Sequence, residues 1–225
     1  MKPLESSDDR NHIEILAMQE LLITSSANGI RNVCVYCGSG RGKDPAYAVA
    51  ARTLGQALAD AGIGLVYGGG SLGLMGEVAK ATLGAGGRVT GIIPAFLTER
   101  EQMLREVDEL IVTDDMHQRK MLMFQKSDAF VALPGGIGTL EELVEQLTWS
   151  QLGRHAKPII LANIGGFWTP FLSLLDHMRS GAFIRNGLDV RFRVVDSAEQ
   201  IVPAVIASGA GERCAAVDES LMAKM

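Results

Sequence analysis

The chain has 225 residues, of which 47% are hydrophobic and 21% are charged, a balance typical of one soluble globular domain. Its net charge of −5 argues against a surface that coats nucleic acid, and no apolar stretch approaches the roughly 20 residues of a membrane-spanning helix. The amino-terminal MKPLESSDDR has no apolar signal-peptide core and is acidic where a transit peptide would be basic, so we expect a cytoplasmic protein.

Three regions follow one another along the chain. Residues 1–30 are predicted to form an extension with one amphipathic helix at about 11–23, because apolar positions recur there with helical spacing. Residues 31–208 are predicted to form the folded domain and residues 209–225 a flexible tail. The strands of the domain are predicted at Asn32–Cys37, Gly64–Gly68, Arg88–Pro94, Glu109–Thr113, Ala129–Pro134, Pro158–Asn163 and Phe192–Asp196.

Helical patterns separate these strands, and the last helix closes the domain after Ser197. Apolar strands that alternate with helices predict an α/β fold: a single-domain, Rossmann-like parallel sheet with helices on both faces. Ligands of such folds bind outside the carboxyl ends of the strands, at a topological switch point. The glycine clusters of this chain follow Cys37, Tyr67 and Leu133, which are the ends of predicted strands.

Cys34 and Cys37 form a C-x-x-C pair, a spacing that redox proteins use. A redox pair of the thioredoxin type belongs at a helix amino terminus, whereas these two lie on a predicted strand. Residues three apart on a strand point to opposite faces. We therefore interpret both cysteines as small buried hydrophobic residues.

Two glycine-rich loops come close to known nucleotide-binding motifs. GSGRGKD, at Gly38–Asp44, resembles a P-loop but has the wrong spacing and lacks the required Ser or Thr after its lysine. GGGSLG, at Gly68–Gly73, matches G-x-G-x-x-G, but no acid follows about 20 residues later to hold a ribose hydroxyl. These features favour a mononucleotide over a dinucleotide, with backbone amides near its anionic group.

PGGIGTLEE, at Pro134–Glu142, combines backbone freedom with two acids. Thr139 and Glu142 fit a capping box, in which the glutamate reaches back to the amide of Thr139. The alternative is a catalytic role. A carboxylate beside a bound phosphate is electrostatically costly, so its presence there indicates that its charge is used in a reaction. Leu140, Leu143, Val144 and Leu147 are predicted to form the buried stripe of the following helix, which turns Glu142 towards another face.

MHQRK, at Met116–Lys120, is predicted to lie on the preceding helix. His117, Arg119 and Lys120 offer cations that could clamp a phosphate or a ribose, and the alternative is a solvated helix face. The four histidines of the chain form no ligand-spaced cluster, so we predict no metal site.

Three segments together resemble the lonely-guy family, the cytokinin riboside 5′-monophosphate phosphoribohydrolases, whose bacterial relatives were long labelled lysine decarboxylases. They are GGGSLGLMGEVA, DMHQRK and LPGGIGTLEELVEQLTWSQLG, and the similarity runs from about Asn32 to Ile184. The chain departs from the usual family pattern at CGSGRGKDP, at TERE before Gln102, and at Ile137, where a tyrosine is frequent. We find no context for a lysine that would hold pyridoxal phosphate.

The resemblance implies a Rossmann-like homodimer that hydrolyses the N-glycosidic bond of an adenine-type nucleoside 5′-monophosphate, without metal or redox cofactor. Arg119 and Glu142 would then be the catalytic pair, with Glu141 as an alternative acid. The implied substrate-binding residues are Glu101, Lys120, Gly136, Ile137, Gly138, Thr139, Leu140, Glu141 and Thr148, and the glycine turns add Ser71. Two alternatives remain at this point: a general AMP or purine monophosphate nucleosidase, and a non-catalytic carrier of a nucleotide or of molybdenum cofactor.

Overall fold

The computed structural model describes residues 29–98, 102–184 and 190–209. The predicted helix at 11–23, Glu101, Cys214 and almost all of the predicted carboxyl-terminal tail lie outside the described residues.

Seven parallel strands form one sheet in the order β4-β3-β2-β1-β5-β6-β7. They are β1 (Asn32–Tyr36), β2 (Gly64–Tyr67), β3 (Val89–Pro94), β4 (Glu109–Thr113), β5 (Ala129–Ala132), β6 (Ile159–Ala162) and β7 (Arg193–Val195). The predicted α/β fold is therefore confirmed. The strand ends differ from the predicted ones by at most two residues, which is the ordinary uncertainty of such boundaries.

Helices follow the strands. They are α1 (Pro45–Asp60), α2 (Gly73–Gly84), α3 (Met116–Lys126), α4 (Ile137–Gln151), α5 (Thr169–Ser180) and α6 at residues 201–209. Short polar side chains fix two of the starts, because Asp44 accepts a hydrogen bond from the amide of Ala46 and Asp115 from that of Gln118, both at 2.8 Å. In the described part of the chain, none of the helices has the length and apolarity that a bilayer span requires.

The two faces of the sheet carry separate hydrophobic cores. One packs β-strand side chains against α1, α2 and the region of α6, and the other packs them against α3, α4 and α5. Cys37 belongs to the first core and Cys34 to the second, and both are buried. The prediction that the C-x-x-C pair is split between the two faces of a strand, as hydrophobic filling, is confirmed.

The strand order places the topological switch point between β1 and β5. From β1 the chain builds the sheet outward through β2, β3 and β4, and it then returns to the other side of β1 to add β5, β6 and β7. The loops after β1 and β5 therefore run in opposite directions and leave a crevice between them. This crevice is where the glycine-rich segments meet.

Candidate active site

The loops after β1, β2 and β5 contact one another at the carboxyl edge of the sheet. The amide of Gly38 donates to the carbonyl of Pro134 at 3.1 Å, and the amide of Leu74 donates to the carbonyl of Gly38 at 2.9 Å. A cavity of about 350 Å³ opens here. Its walls come from the loops after β1 and β5 and from α2, α3 and α4: Cys37, Gly38, Ser39, Met75, Met116, Arg119, Gly136, Ile137, Gly138, Thr139, Glu141 and Glu142.

Arg119 and Glu142 form an ion pair in the wall of this cavity. The Nη1 atom of Arg119 lies 2.9 Å from Oε1 of Glu142, and the two side chains are only 9% and 10% exposed. Arg119 Nε also donates to the carbonyl of Ile92 at 3.1 Å, which fixes the guanidinium against β3. A buried ion pair gives little net stability because both charges lose their hydration, so its presence at a cavity points to a chemical use.

Gly68 makes room for the arginine. A Cβ atom at this position would lie 2.4 Å from Nη2 of Arg119, far inside van der Waals contact. Sequence reasoning assigned the glycines of this loop to the approach of an anionic ligand. The structure gives Gly68 a second reason, contact with Arg119, which depends on a residue 51 positions away and has no local sequence signal.

The amino terminus of α4 faces the cavity. Its N-cap residue is Gly136, which offers no side chain to the first-turn amides. An added Cβ at Gly136 or Gly138 would meet nothing within 4 Å among the described residues, whereas one at Gly135 would lie 2.1 Å from Oγ1 of Thr139. Close packing against Thr139 therefore explains why position 135 is a glycine. Gly136 and Gly138 instead leave the backbone amides uncovered, and such amides bind anions at the starts of helices.

The predicted capping box is wrong. α4 begins at Ile137, so Thr139 is the third residue of the helix and not its cap. Glu142 lies one turn further on, where its carboxylate faces Arg119. The predicted buried stripe is also wrong at Val144, which is exposed, because the buried side of α4 is rotated to include Glu142 and Gln146 with Leu143 and Leu147.

Glu141 has a different environment from Glu142. It is exposed at the rim of the cavity, and its Oε1 atom lies 2.6 Å from Nζ of Lys120. The same ammonium lies 2.9 Å from Glu145. Burial opposes the charge of Lys120, but its bonds to the two carboxylates outweigh burial and raise its pKa. Lys120 therefore remains a cation that ties α3 to α4 beside the cavity.

The remaining predicted site residues are dispersed. Ser71 lines a separate cavity of about 780 Å³ with Lys80 and Arg105. Leu140 is half-buried against the second core. Thr148 donates its hydroxyl to the carbonyl of Val144 at 2.8 Å, two turns along α4 from the cavity. His117 is exposed.

Several cavity residues were missed by the sequence analysis, which named no role for Ser39, Met75 or Met116. Ser39 could have been found from its place in the glycine loop after β1, whereas the methionines carry no signal that distinguishes them from core residues. Tyr36 and Cys34 lie close enough to Glu142 to feel its charge, and burial raises the pKa of both groups well above the ordinary range. Both therefore stay neutral beside the ion pair. The described residues contain no cluster of three His, Cys, Asp or Glu side chains that could bind a metal ion.

Comparison with known proteins identifies the family of the chain. The family model described as possible lysine decarboxylase matches residues 75–205. Over 168 residues the chain is 50% identical to the cytokinin riboside 5′-monophosphate phosphoribohydrolase LOG of Oryza sativa, an alignment that covers 75% of this chain and 68% of that protein. The corresponding enzyme LOG3 of Arabidopsis thaliana is 51% identical over 154 residues, 68% of this chain and 72% of its own.

A solved structure shares the fold. The molybdenum cofactor carrier protein of Chlamydomonas reinhardtii superposes with a TM-score of 0.60 over 80% of this chain and 98% of its own, at 24% identity. This level of similarity establishes a common architecture and leaves function to the site. The identity to the two plant enzymes is much higher, at 50% and 51%. The chain therefore belongs to the family of the cytokinin riboside 5′-monophosphate phosphoribohydrolases, which are hydrolases.

Proposed function

We propose that this protein hydrolyses the N-glycosidic bond of adenine-type nucleoside 5′-monophosphates, including cytokinin forms, to the free base and ribose 5-phosphate. The observation that carries the proposal is the buried Arg119–Glu142 pair, which faces a cavity beside the open amides of α4. The names of the plant relatives give the substrate class.

Substrate binding begins with the phosphate. The amides of the first turn of α4 carry the positive end of the helix dipole, and Gly136 and Gly138 leave them uncovered. Thr139 adds a hydroxyl in the same turn. Lys120 and Glu141 stand at the rim, where they are suited to the polar groups of the ribose. Glu101, Leu140 and Thr148 remain proposed contacts because of the family motif, and Ser71 because of its glycine turn.

Glu142 is the proposed catalytic carboxylate. Cleavage of the bond between the ribose carbon and the base nitrogen develops positive charge on the sugar, as in glycoside hydrolysis. A carboxylate beside that carbon stabilises the charge and accepts a proton from the attacking water, whose oxygen then becomes bonded to the sugar. The base leaves with the electron pair of the broken bond and takes up a proton.

Arg119 has two proposed tasks. Its guanidinium pairs with Glu142 at 2.9 Å, and it lines the cavity, where it can neutralise a phosphate or polarise the departing base. Because a guanidinium has five N–H donors, Arg119 can hold Glu142 and contact a bound nucleotide at the same time.

We also propose a homodimer. Three exposed apolar residues lie along α4 and at its carboxyl-terminal cap, about two turns apart: Ile137, Val144 and Leu152. Such a stripe on the helix that holds the catalytic acid is suited to a second copy of the chain, because its burial would remove apolar surface from water.

The enzyme assay is direct. Purified protein is incubated with AMP and, separately, with a prenylated AMP, and the free base is measured by chromatography. Release from both, faster with the prenylated form, is the expected result. Equal rates would indicate a general purine monophosphate nucleosidase, and no release from either nucleotide would indicate a binding protein.

A further inference from the structure

Glu77 joins two arginines outside the catalytic pair. It lies on α2, and its side chain is only 13% exposed. Its Oε2 atom lies 2.6 Å from Nη1 of Arg52 on α1, and its Oε1 atom accepts a hydrogen bond from Arg41. The bond to Arg52, ahead of the charge of Arg41, holds the pKa of Glu77 below its ordinary value despite burial. Glu77 is therefore a carboxylate held between a helix and a loop.

Arg41 belongs to the loop that follows β1. Residues of this loop line the cavity of about 350 Å³ that contains Arg119 and Glu142, and also a neighbouring cavity of about 280 Å³. Gly38, Ser39 and Gly136 line both cavities. The loop thus forms one wall of a cleft whose opposite wall is the amino terminus of α4. Its position determines how far the cleft opens over the proposed phosphate site.

The base of this loop, at Gly38, is held by backbone hydrogen bonds, whereas its tip, residues 39–43, is not. Gly38 is bonded to Pro134 and to Leu74, and Gly73 lies so close to Ser39 that an added Cβ would be 2.2 Å from the carbonyl. Among the described residues, no backbone hydrogen bond joins residues 39–43 to the rest of the protein. Gly40 and Gly42 flank Arg41 and add conformational freedom. The side chain of Arg41 tethers this tip to the rest of the protein through its hydrogen bond to Glu77.

The other end of the tether is rigid. α1 and α2 pack so tightly that a Cβ at Gly55 would lie 2.5 Å from the carbonyl of Val78. Arg52 and Glu77 lie on these two helices, so their bond holds the carboxylate in place. Arg41 is 70% exposed and reaches this fixed point from the loop. A charge pair of this kind is weak in stability but sufficient to select one loop position.

We propose that Glu77 is a positioning residue for the nucleotide cleft, which acts through Arg41 to fix the loop after β1. The predicted change in KM rests on the proposed function. The positioning role also predicts a property independent of turnover, restricted backbone motion of residues 39–43, which NMR order parameters measure. Loss of the tether widens the ensemble of loop positions and weakens nucleotide binding, while the chemistry at Glu142 is unchanged.

Four variants of the full chain test this: Glu77→Gln, Arg41→Gln, Arg41→Lys and Arg52→Gln. Glu77→Gln and Arg41→Gln are each expected to raise KM for AMP about two- to fivefold with kcat within about twofold, as the weakness of exposed ion pairs implies. The double variant should be no worse than either single one. Arg41→Lys restores most of the KM, and Arg52→Gln raises it by less than Glu77→Gln does, because the contact between Glu77 and Arg41 remains.

Backbone dynamics of residues 39–43 are measured by NMR relaxation on the same proteins without substrate. The order parameters of these residues should be lower in Glu77→Gln and Arg41→Gln than in the wild type, with those of Arg52→Gln between the two levels. Additive KM effects, unaltered order parameters in Glu77→Gln, or an Arg52→Gln variant as impaired as Glu77→Gln would overturn the proposal. If the wild type releases no base, the function fails, and the NMR measurement still decides the tether.

Discussion

The guanidinium of Arg119 lies 2.9 Å from the carboxylate of Glu142, and the two residues come from different helices that meet over the carboxyl edge of the sheet. Each helix begins beside the cavity, so the pair is formed only when α3 and α4 are both in place. The neighbouring acid, Glu141, points instead to Lys120 at the rim. The two adjacent glutamates therefore have separate environments, and this separation makes their roles distinguishable.

Glu142→Gln is predicted to lower kcat by about a hundredfold or more, because a neutral amide neither stabilises positive charge on the sugar nor accepts a proton from water. Binding of AMP, measured by calorimetry, should persist. Glu141→Gln is the matched control, since the same change at the exposed neighbour should retain most of kcat. Equal losses in the two variants would argue against Glu142 as the catalytic acid.

Arg119→Gln is predicted to lower the free energy of unfolding by about 3 to 5 kcal/mol, because it leaves the buried carboxylate of Glu142 unpaired. The double variant Arg119→Gln, Glu142→Gln should be more stable than Arg119→Gln alone, since no buried charge remains. Urea unfolding of the three variants and the wild type gives the coupling free energy. Additive effects would mean that the two side chains do not depend on each other.

The paired glycines of the motif offer a matched comparison. Gly136→Ala should keep the free energy of unfolding within about 0.5 kcal/mol, because a Cβ there meets no described atom, and should raise KM by crowding the phosphate site. Gly135→Ala places a Cβ 2.1 Å from the hydroxyl of Thr139 and should cost about 1 to 3 kcal/mol. Kinetics and urea unfolding on both variants check this. A wild-type KM in Gly136→Ala would count against phosphate binding at this turn.

Stability is predicted to fall as the pH drops below about 6.5, the ordinary pKa of histidine. Burial, together with the charges of Lys157 and Arg154, lowers the pKa of His155, whose ring lies 5.4 Å from that of Phe124. The unfolded chain therefore binds a proton at a higher pH than the folded protein does. The contribution of His155 is complete above pH 6.5 and is lost as the pH falls towards its folded pKa.

Urea unfolding between pH 5 and 7.5 tests this contribution. His155→Gln should flatten the pH dependence. An unchanged slope in His155→Gln would assign the acid sensitivity to other groups.

The proposed homodimer places Val144 and Leu152 in an interface. Val144→Glu combined with Leu152→Glu should convert a dimer into a monomer of unchanged secondary structure, because two buried charges would oppose association. Val49→Glu is the control, since Val49 is equally exposed but lies on α1. Light scattering after gel filtration measures the mass. A wild-type monomer, or a dimer that survives the double change, would exclude this face.

The fold could be predicted from the sequence because the local strand and turn patterns agree with the topology of the sheet. Seven apolar strands, each bounded by glycine or a polar turn, predict a parallel sheet, and the glycine clusters predict which edge carries the site. The start of α4 was missed because Thr139 and Glu142 have the spacing of a capping box. Gly136 is the N-cap and the helix begins at Ile137, so the pattern falls inside the first turns.

The ion pair and its glycine could not be derived from local pattern. Arg119, Glu142 and Gly68 are brought together by three separate elements, and the contact distances depend on how α3 and α4 pack on β3 and β1. The rotation of α4 has the same origin. Burying Glu142 against Arg119 turns Val144 outward, although an apolar residue at that spacing is normally assigned to the core.

Product analysis tests the central proposal most directly. AMP and a prenylated AMP are incubated with the wild-type protein in phosphate-free buffer, and the products are analysed by chromatography and mass spectrometry. The proposed reaction predicts free base and ribose 5-phosphate in equal amounts, formed at least about a hundredfold more slowly in Glu142→Gln. Failure to release base, or release of inorganic phosphate and the nucleoside instead, would contradict hydrolysis of the glycosidic bond by this protein.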